Sequence, residues 1–200
     1  RALHAGQSIK EIGPNWHKDK EGTPTMGGIM FIMAVIFVVL AFGWRDMAPG
    51  SWQAVFVLGF APVCGAIGFV DDYAKIRKHE NTGLTAGWKF LLQLAAAIAF
   101  LTLLNSTHHL SPNLYIPFVN ISRPLPWGVY LVFAAFVIVG CVNSVNLADG
   151  LDGLAGSVTL AVSVFFAALS QWWDKGAVGV FAGALAGGLL GFLVYNFHPA

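Results

Sequence analysis

Two amides and two carboxylates recur at intervals of three residues in one stretch of the chain, between two apolar runs. They are Asn143, Asn146, Asp149 and Asp152. Carboxylates beside apolar runs of this kind are costly and typically mark substrate or ion sites. Together with amides they can recognise a base or sugar and orient a metal-bound phosphate. The alternative interpretation is structural, because Asn and Asp-Gly also cap helices and form turns.

The glycines of the same stretch affect how its side chains are presented. The four polar residues share one face only if the segment is helical. Gly150 and Gly153 instead predict a break in the helix that lets the backbone approach a ligand. We therefore include Gly150 in the predicted site.

A second carboxylate pair, Asp71 and Asp72, ends another apolar run and is followed by Lys75. Neighbours on a helix point about 100° apart, so we expect the pair not to face one partner symmetrically. One carboxylate is then available to a metal such as Mg²⁺, which prefers carboxylate and phosphate oxygens. A solvated helix end paired with Lys75 is the alternative. Because carboxylates at a helix C-terminus oppose the helix dipole, the pattern favours function.

A third polar motif precedes the first apolar run. Lys20 is followed by the run Gly-Thr-Pro-Thr-Met-Gly-Gly at 22–28. Pro24 suits the first position of a helix and Thr23 suits its N-cap. A helix N-terminus beside Lys and Thr suits an anionic phosphate, although a plain helix start explains the motif equally well. The residue order of a P-loop is absent.

The composition defines the class of protein. The chain is 56% hydrophobic and 10% charged, whereas about 25% of a soluble domain is charged. This indicates an all-α, polytopic transmembrane helix bundle. A net charge of +1 without a basic tract gives no reason to expect a nucleic-acid partner. Cys64 and Cys141 both lie in apolar runs and are interpreted as packing residues.

We predict one integral-membrane domain over residues 1–200, with a cytoplasmic arm at 1–24 and about six spans. The predicted spans are at about 25–42, 52–70, 88–104, 127–142, 154–173 and 177–195. Between the third and fourth spans, residues 105–126 predict an interfacial loop or short hairpin. Glycines at every fourth position of the last span predict a closely packed helix face. They are Gly179, Gly183, Gly187 and Gly191.

Counting the crossings places all the polar motifs on the same face of the membrane. Eight of the eleven Lys and Arg residues lie on that side, and an excess of positive charge marks the cytoplasmic side. A transporter or channel is the alternative from another functional class. It predicts charges deep inside spans and an inverted repeat, whereas these acids lie at span ends and no internal repeat is visible.

Taken together, these motifs resemble the polyprenyl-phosphate N-acetylhexosamine-1-phosphate transferases. The resemblance covers essentially all 200 residues, and the run at 22–28 favours the branch of the phospho-N-acetylmuramoyl-pentapeptide transferases. In chain order the matching residues are Gly13, Pro14, His17, Lys20, the run at 22–28, the run at 71–75, the stretch at 143–155, Tyr195, Asn196, Pro199 and Ala200.

The resemblance implies an activity in bacterial peptidoglycan biosynthesis. Phospho-MurNAc-pentapeptide would pass from UDP-MurNAc-pentapeptide to undecaprenyl phosphate, giving lipid I and UMP with Mg²⁺ as cofactor. The enzyme would lie in the cytoplasmic membrane, with the lipid bilayer as a further partner and a homodimer as an open alternative. A sister enzyme that transfers GlcNAc-1-phosphate from UDP-GlcNAc is the second hypothesis.

Residue roles follow from the same resemblance. Asp71 would act as a base on the lipid phosphate or orient it, and Asp72 would help to hold Mg²⁺ and the diphosphate. With Asp149 they form the predicted catalytic set. The predicted substrate-binding residues are Lys20, Thr23, Lys75, Asn143, Asn146, Gly150, Asp152 and Asn196.

The chain also departs from the family pattern. Family members continue with a segment that carries a leading Mg²⁺ ligand, and they have an additional first helix. We therefore expect this chain to be a fragment whose main metal ligand lies beyond Ala200. We also expect the 200-residue chain to be inactive on its own.

Overall fold

The computed structural model describes residues 28–47, 52–78 and 83–196. These residues form six α-helices and one β-hairpin, which confirms the all-α prediction and adds one small sheet. The elements are α1 (Gly28–Met47), α2 (Gln53–Lys78), α3 (Ala86–Ser106), β1 (Asn113–Ile116), β2 (Ile121–Pro124), α4 (Trp127–Ala148), α5 (Leu154–Trp172) and α6 (Gly176–Asn196). The polar arm predicted at 1–24 lies outside the described residues.

Five of the described helices are long and apolar enough to cross a membrane. In α2 the segment that qualifies is Val55–Lys75, and α3 to α6 qualify over their full lengths. The apolar part of α1, Phe31–Gly43, is shorter than these five segments. The chain is therefore a multi-pass membrane protein. A crossing by α1, which would make six, stays a prediction.

The helices pack as a ring. From α2 to α6 each helix contacts the next one in the chain, and α6 returns to contact α2. The first helix packs against α6 and α2. Because the chain reverses direction at each connection, the end of α2, the start of α3 and the end of α4 meet on one side of the bundle.

Two small apolar clusters hold the ring together. One joins α3 to α4 through Ala97, Leu101, Ala135 and Val139. The other joins α1 and α2 to α6 around Val39, which is completely buried. Many large apolar side chains outside these clusters are exposed, as expected where lipid rather than water surrounds the helices.

The glycine stripe of α6 does not pack as the sequence predicted. A Cβ added at Gly183 or Gly187 would meet no described atom within 4 Å, and the same is true of Gly191. The close approach is at Gly188, where a Cβ would lie 2.8 Å from the ring of Phe31 in α1. Of the four predicted glycines, Gly179 alone has a close neighbour, Ser170 of α5. Regular spacing identified a helix face, but the packed neighbours of α6 lie on other faces.

Candidate functional site

A buried carboxylate on α2 lies at the centre of the site. Asp71 is only 6% exposed. Its Oδ2 lies 2.9 Å from Nζ of Lys75 and 3.3 Å from Nζ of Lys89. Its Oδ1 accepts a hydrogen bond of 2.8 Å from the backbone N–H of Leu84. A buried charge is tolerated when it is paired and hydrogen-bonded, and here both oxygens of Asp71 have donors.

The helix that carries Asp71 is longer than predicted. The sequence placed Asp71 and Asp72 at a helix end, but α2 continues to Lys78. Dipole effects fall off within the last turn of a helix. The dipole therefore gives no reason to assign these carboxylates a function, and the reason must come from their contacts.

Lys75 contacts both aspartates at once. Its Nζ lies 2.9 Å from Oδ2 of Asp71 and 2.9 Å from Oδ1 of Asp72. The expectation that the pair would not face one partner symmetrically is wrong, because the two distances are equal. Lys75 follows Asp71 by four residues and Asp72 by three, and both spacings bring side chains together on a helix. The ion pair regarded as the structural alternative is present, and Asp71 binds groups from two other elements as well.

The connection before α3 approaches Asp71 closely because it contains a glycine. A Cβ at Gly83 would lie 2.7 Å from the backbone carbonyl oxygen of Asp71 and would also collide with its carboxylate. Without that side chain, Leu84 comes near enough to donate its N–H. Sequence inspection did not identify Gly83 or Leu84, because a glycine before a helix resembles any loop glycine.

The first turn of α3 supplies the second lysine. Thr85 caps the helix, and its Oγ1 accepts a 3.4 Å hydrogen bond from the N–H of Trp88. One residue later, Lys89 pairs with Asp71 and donates a 3.2 Å hydrogen bond to Oδ1 of Asn146. Lys89 thus connects α2, α3 and α4. Lys89 was not predicted as a site residue, although its place at a span start on the motif side was a usable signal.

A polar pair joins α3 and α4 further along the two helices. Nδ2 of Asn143 donates to Oε1 of Gln93 at 2.7 Å and to the carbonyl of Val139 at 2.9 Å. Gln93 is 5% exposed. A buried amide inside an apolar span is a signal that the sequence analysis did not use.

These side chains surround a cavity of about 510 Å³. The lining residues are Asp71, Lys75, Gly83, Leu84, Thr85, Ala86, Lys89, Asn143 and Asn146. Two lysines and one aspartate line the cavity, and Asp72, which also pairs with Lys75, lies beside it. The N-terminus of α3 also lies at the cavity, and the first N–H groups of a helix favour anions. Such a cavity suits a phosphate-bearing ligand.

The stretch at 143–155 is divided by the end of a helix. Asn143 and Asn146 lie in α4, which ends at Ala148 with Asp149 as its C-cap. Gly153 has a φ of 71°, in the left-handed region that suits glycine, and α5 begins directly after it. The predicted helix break is present. The two amides line the cavity, whereas Asp149, Gly150 and Asp152 lie in the connection beyond it.

The negative charge of Asp72 in α2 acts on Asp149, the C-cap of α4. Partial loss of hydration, and then the negative charge of Asp72, raise the pKa of Asp149 above its ordinary value. Carboxylate oxygens of this kind are ligands that a divalent cation prefers. Within the described ranges, no group of three His, Cys, Asp or Glu side chains could hold a metal ion.

The remaining predicted residues lie away from this cavity or outside the described ranges. Asn196 is the last residue of α6 and does not line the cavity. Lys20 and Thr23 lie outside the described residues. The structure therefore brings together Asp71, Lys75, Asn143 and Asn146 of the predicted set.

A ring of apolar helices, with a cavity at one end that is lined by two lysines and a helix N-terminus, defines an integral-membrane protein with a candidate site for an anionic ligand. The chain belongs to glycosyl transferase family 4, whose family model matches residues 54–200. Residues 20–32 match signature 1 of the phospho-N-acetylmuramoyl-pentapeptide-transferases. The family resemblance inferred from the sequence is confirmed.

Curated relatives are similar over the whole chain. The phospho-N-acetylmuramoyl-pentapeptide-transferase of Staphylococcus carnosus (strain TM300) is 44% identical over 204 residues, which is 100% of this chain and 62% of the relative. The protein of the same name from Caldanaerobacter subterraneus subsp. tengcongensis is 42% identical over 201 residues, which is 100% of this chain and 61% of the relative. The chain thus spans less than two thirds of the relatives it matches.

Proposed function

We propose that this protein transfers phospho-MurNAc-pentapeptide from UDP-MurNAc-pentapeptide to undecaprenyl phosphate, with lipid I and UMP as products. The observation that carries the proposal is the buried carboxylate of Asp71, held by two lysines in a cavity that favours anions. The signature at 20–32 and the names of the relatives favour the muramoyl donor over UDP-GlcNAc. A transporter function has no support from these comparisons.

The lysines of the cavity would reduce the electrostatic repulsion that the proposed reaction must overcome. Both substrates carry phosphate, so an acceptor phosphate must approach a donor diphosphate against electrostatic repulsion. Hydrogen-bond donors that are already in position lower an electrostatic barrier of this kind most effectively, because they need no reorganisation during the reaction. Lys75, Lys89 and the N-terminus of α3 are the donors present here.

Asp71 is proposed to accept a proton from the lipid phosphate or to orient it. In the described site its Oδ2 is held by both lysines. A bound phosphate competes for the same lysines, since ammonium groups bind phosphate oxygens strongly. Oδ2 is then available to the substrate, while the N–H of Leu84 keeps Oδ1 in place. A general base must lie within hydrogen-bond reach of its proton, and this arrangement supplies that reach.

Magnesium is proposed as the cofactor. The carboxylate of Asp72 suits a hard cation that also keeps water and phosphate oxygens as ligands. When bound, the ion would neutralise charge on the diphosphate. We expect EDTA to abolish transfer and added Mg²⁺ to restore it. Asp72→Asn should raise the Mg²⁺ concentration needed for half-maximal rate, and an unchanged requirement would remove Asp72 from the metal site.

The other predicted residues complete the proposed binding site. Asn143 and Asn146 line the cavity and are proposed to contact the donor. The remaining proposed nucleotide and diphosphate contacts are Lys20, Thr23, Gly150, Asp152 and Asn196. The bias of Lys and Arg supports a site on the cytoplasmic face of a bacterial inner membrane.

The direct test is donor competition in the full-length protein. Purified enzyme would be supplied with undecaprenyl phosphate, Mg²⁺ and radiolabelled UDP-MurNAc-pentapeptide, and labelled lipid would be separated from the nucleotide. We expect labelled lipid I together with UMP, and little inhibition by excess UDP-GlcNAc. Preferential use of UDP-GlcNAc would identify the sister enzyme instead. Absence of any transfer would show the proposed activity to be wrong.

A further inference from the structure

The hairpin between α3 and α4 has no part in the cavity. Its strands β1 and β2 are antiparallel, with Leu114 opposite Arg123 and Ile116 opposite Ile121. Residues directly opposite each other lie on the same face of a hairpin. One face therefore carries three aliphatic side chains and the stem of one arginine. Arg123 is the only charged residue between 113 and 124.

The turn of the hairpin presents an aromatic ring at its apex. Phe118 is fully exposed and has a φ of 71°. A bulky residue in the left-handed region is a conformational outlier. Asn120 also has a positive φ, of 54°, and its Oδ1 accepts a 2.8 Å hydrogen bond from the hydroxyl of Tyr115. The turn is thus held in a shape that directs a large apolar side chain away from the protein.

The apex is surrounded by further exposed apolar surface. Val119 is 60% exposed, and Ile116 and Tyr115 are also exposed. The only cation lies toward the other end of the hairpin, opposite Leu114. The hairpin thus has an apolar tip and a positive charge toward its other end. Such a surface fits the boundary between lipid acyl chains and anionic headgroups.

Short connections keep the hairpin close to the ends of α3 and α4. Two residues join β2 to α4, and six join α3 to β1. Strands of four residues extend only about 13 Å, so the apex remains close to the ends of two apolar helices. Trp127, at the start of α4, is an aromatic residue of the kind enriched at membrane interfaces. The membrane surface around α3 and α4 is therefore continuous with the hairpin.

We propose that the hairpin lies along the membrane surface, inserts Phe118 and Val119 among the lipid headgroups, and turns Arg123 toward lipid phosphates. Long basic side chains commonly lay their stem on apolar surface and extend the charge to the interface. Lipid already surrounds both flanking helices, which favours it over a protein partner. The contact would fix the membrane depth and tilt of α3 and α4.

The test measures lipid contact in the full-length protein without using its activity. In a Cys64→Ala/Cys141→Ala background, an environment-sensitive fluorophore is attached at Val119→Cys or, as a control, at Ser122→Cys, which is exposed on the other face of the hairpin. The protein is reconstituted into vesicles of equal parts phosphatidylcholine and phosphatidylglycerol. Quenching by headgroup spin-labelled lipid is compared with quenching by iodide in the solution.

We expect the lipid quencher to act about twofold more strongly at position 119 than at 122, and iodide to show the opposite order. Phe118→Asn, which tolerates the left-handed backbone, should remove the difference. Arg123→Gln should weaken lipid quenching in anionic vesicles and not in phosphatidylcholine alone. Stronger iodide quenching at 119 would overturn the proposal. Protection from both quenchers, with energy transfer between labelled copies, would indicate a second copy and also overturn it.

Discussion

The two ends of the α3–α4 helix pair differ in what their side chains contact. At the start of α3 and the end of α4, polar side chains bind one another: Lys89 reaches both Asp71 and Asn146. At the other end of the pair, the hairpin presents the fully exposed side chain of Phe118 at its turn. At one end the polar side chains bind one another, and the other end presents an apolar surface to its surroundings.

The cavity end is the proposed site of the reaction, and the hairpin end is proposed to set the position of the two helices in the membrane. A site whose donors are already in position can stabilise charge without rearranging, so small changes in its contacts should alter the reaction rate strongly. A membrane anchor acts through buried area and tolerates changes of shape. Substitutions at the cavity should therefore change turnover, whereas matched substitutions elsewhere on the chain should leave it nearly unchanged.

The largest effect is expected from Asp71→Asn. An amide keeps the size of the side chain but removes the charge that binds Lys75 and Lys89, and it cannot act as a base. We expect the rate of lipid I formation to fall about 1,000-fold, within the range of general-base catalysis. Initial rates at saturating Mg²⁺ in the full-length protein provide the measurement.

Asp174→Asn is the matched control for this substitution. Asp174 lies in the exposed turn between α5 and α6 with a φ of 51°, which Asn also tolerates. The rate of lipid I formation by the Asp174→Asn variant should stay within about twofold of that of the unsubstituted protein. Near-normal lipid I synthesis by both Asp71→Asn and Asp149→Asn would show the catalytic assignment to be wrong.

The second largest effect is expected from Gly83→Ala. The added methyl group would meet the backbone and carboxylate of Asp71, so the connection must move and the N–H of Leu84 must shift. Displacements of about 1 Å near reacting groups can cost about 100-fold in rate. We expect a loss of that order in the turnover number of purified full-length enzyme.

Gly87→Ala controls for the general effect of adding a methyl group nearby. Gly87 lies in the first turn of α3, and a Cβ there would meet no described atom within 4 Å. Alanine is also the better helix former, so activity should be retained. Equal loss of activity in the two alanine variants would remove the special role assigned to Gly83.

The contrast also shows what could be predicted from sequence. Helix positions follow from apolar runs long enough to cross a membrane, and the charge bias predicts which motifs share a face. The partners of Asp71 were not predictable in this way. Lys89 follows Asp71 by 18 residues and precedes Asn146 by 57, and such contacts depend on how helices rotate and pack. Local spacing gave a wrong prediction for the partners of the Asp71–Asp72 pair, because a flexible lysine reaches both carboxylates.

A smaller loss is expected from Lys89→Gln. The substitution keeps a hydrogen-bond donor for Asn146 but removes one of the two positive charges at Asp71. A hydrogen bond to a charged group contributes about 1.5–3 kcal/mol, so the rate should fall at least about tenfold. Lys175→Gln, in the exposed turn before α6, should leave the rate unchanged.

The rate of Lys89→Gln should also be compared in the Asp71→Asn background. Because the two side chains contact each other, their effects should not add. Full additivity would mean that Lys89 acts on the substrate independently of Asp71. A combined loss close to that of Asp71→Asn alone would place both residues in one functional unit.

The smallest effect is expected from Gln93→Leu, and it concerns stability. The substitution removes the interhelical hydrogen bond to Asn143, but Asn143 keeps its 2.9 Å bond to the carbonyl of Val139. Interhelical hydrogen bonds in membranes average about 0.6 kcal/mol, so the free energy of unfolding in mixed micelles should fall by about that amount. Thr102→Val is the control in the same helix, since the Thr102 hydroxyl bonds only to carbonyls of α3 among the described residues. A loss above about 1.7 kcal/mol for Gln93→Leu, the upper end of this range, would mean that the pair is a main support of the α3–α4 contact.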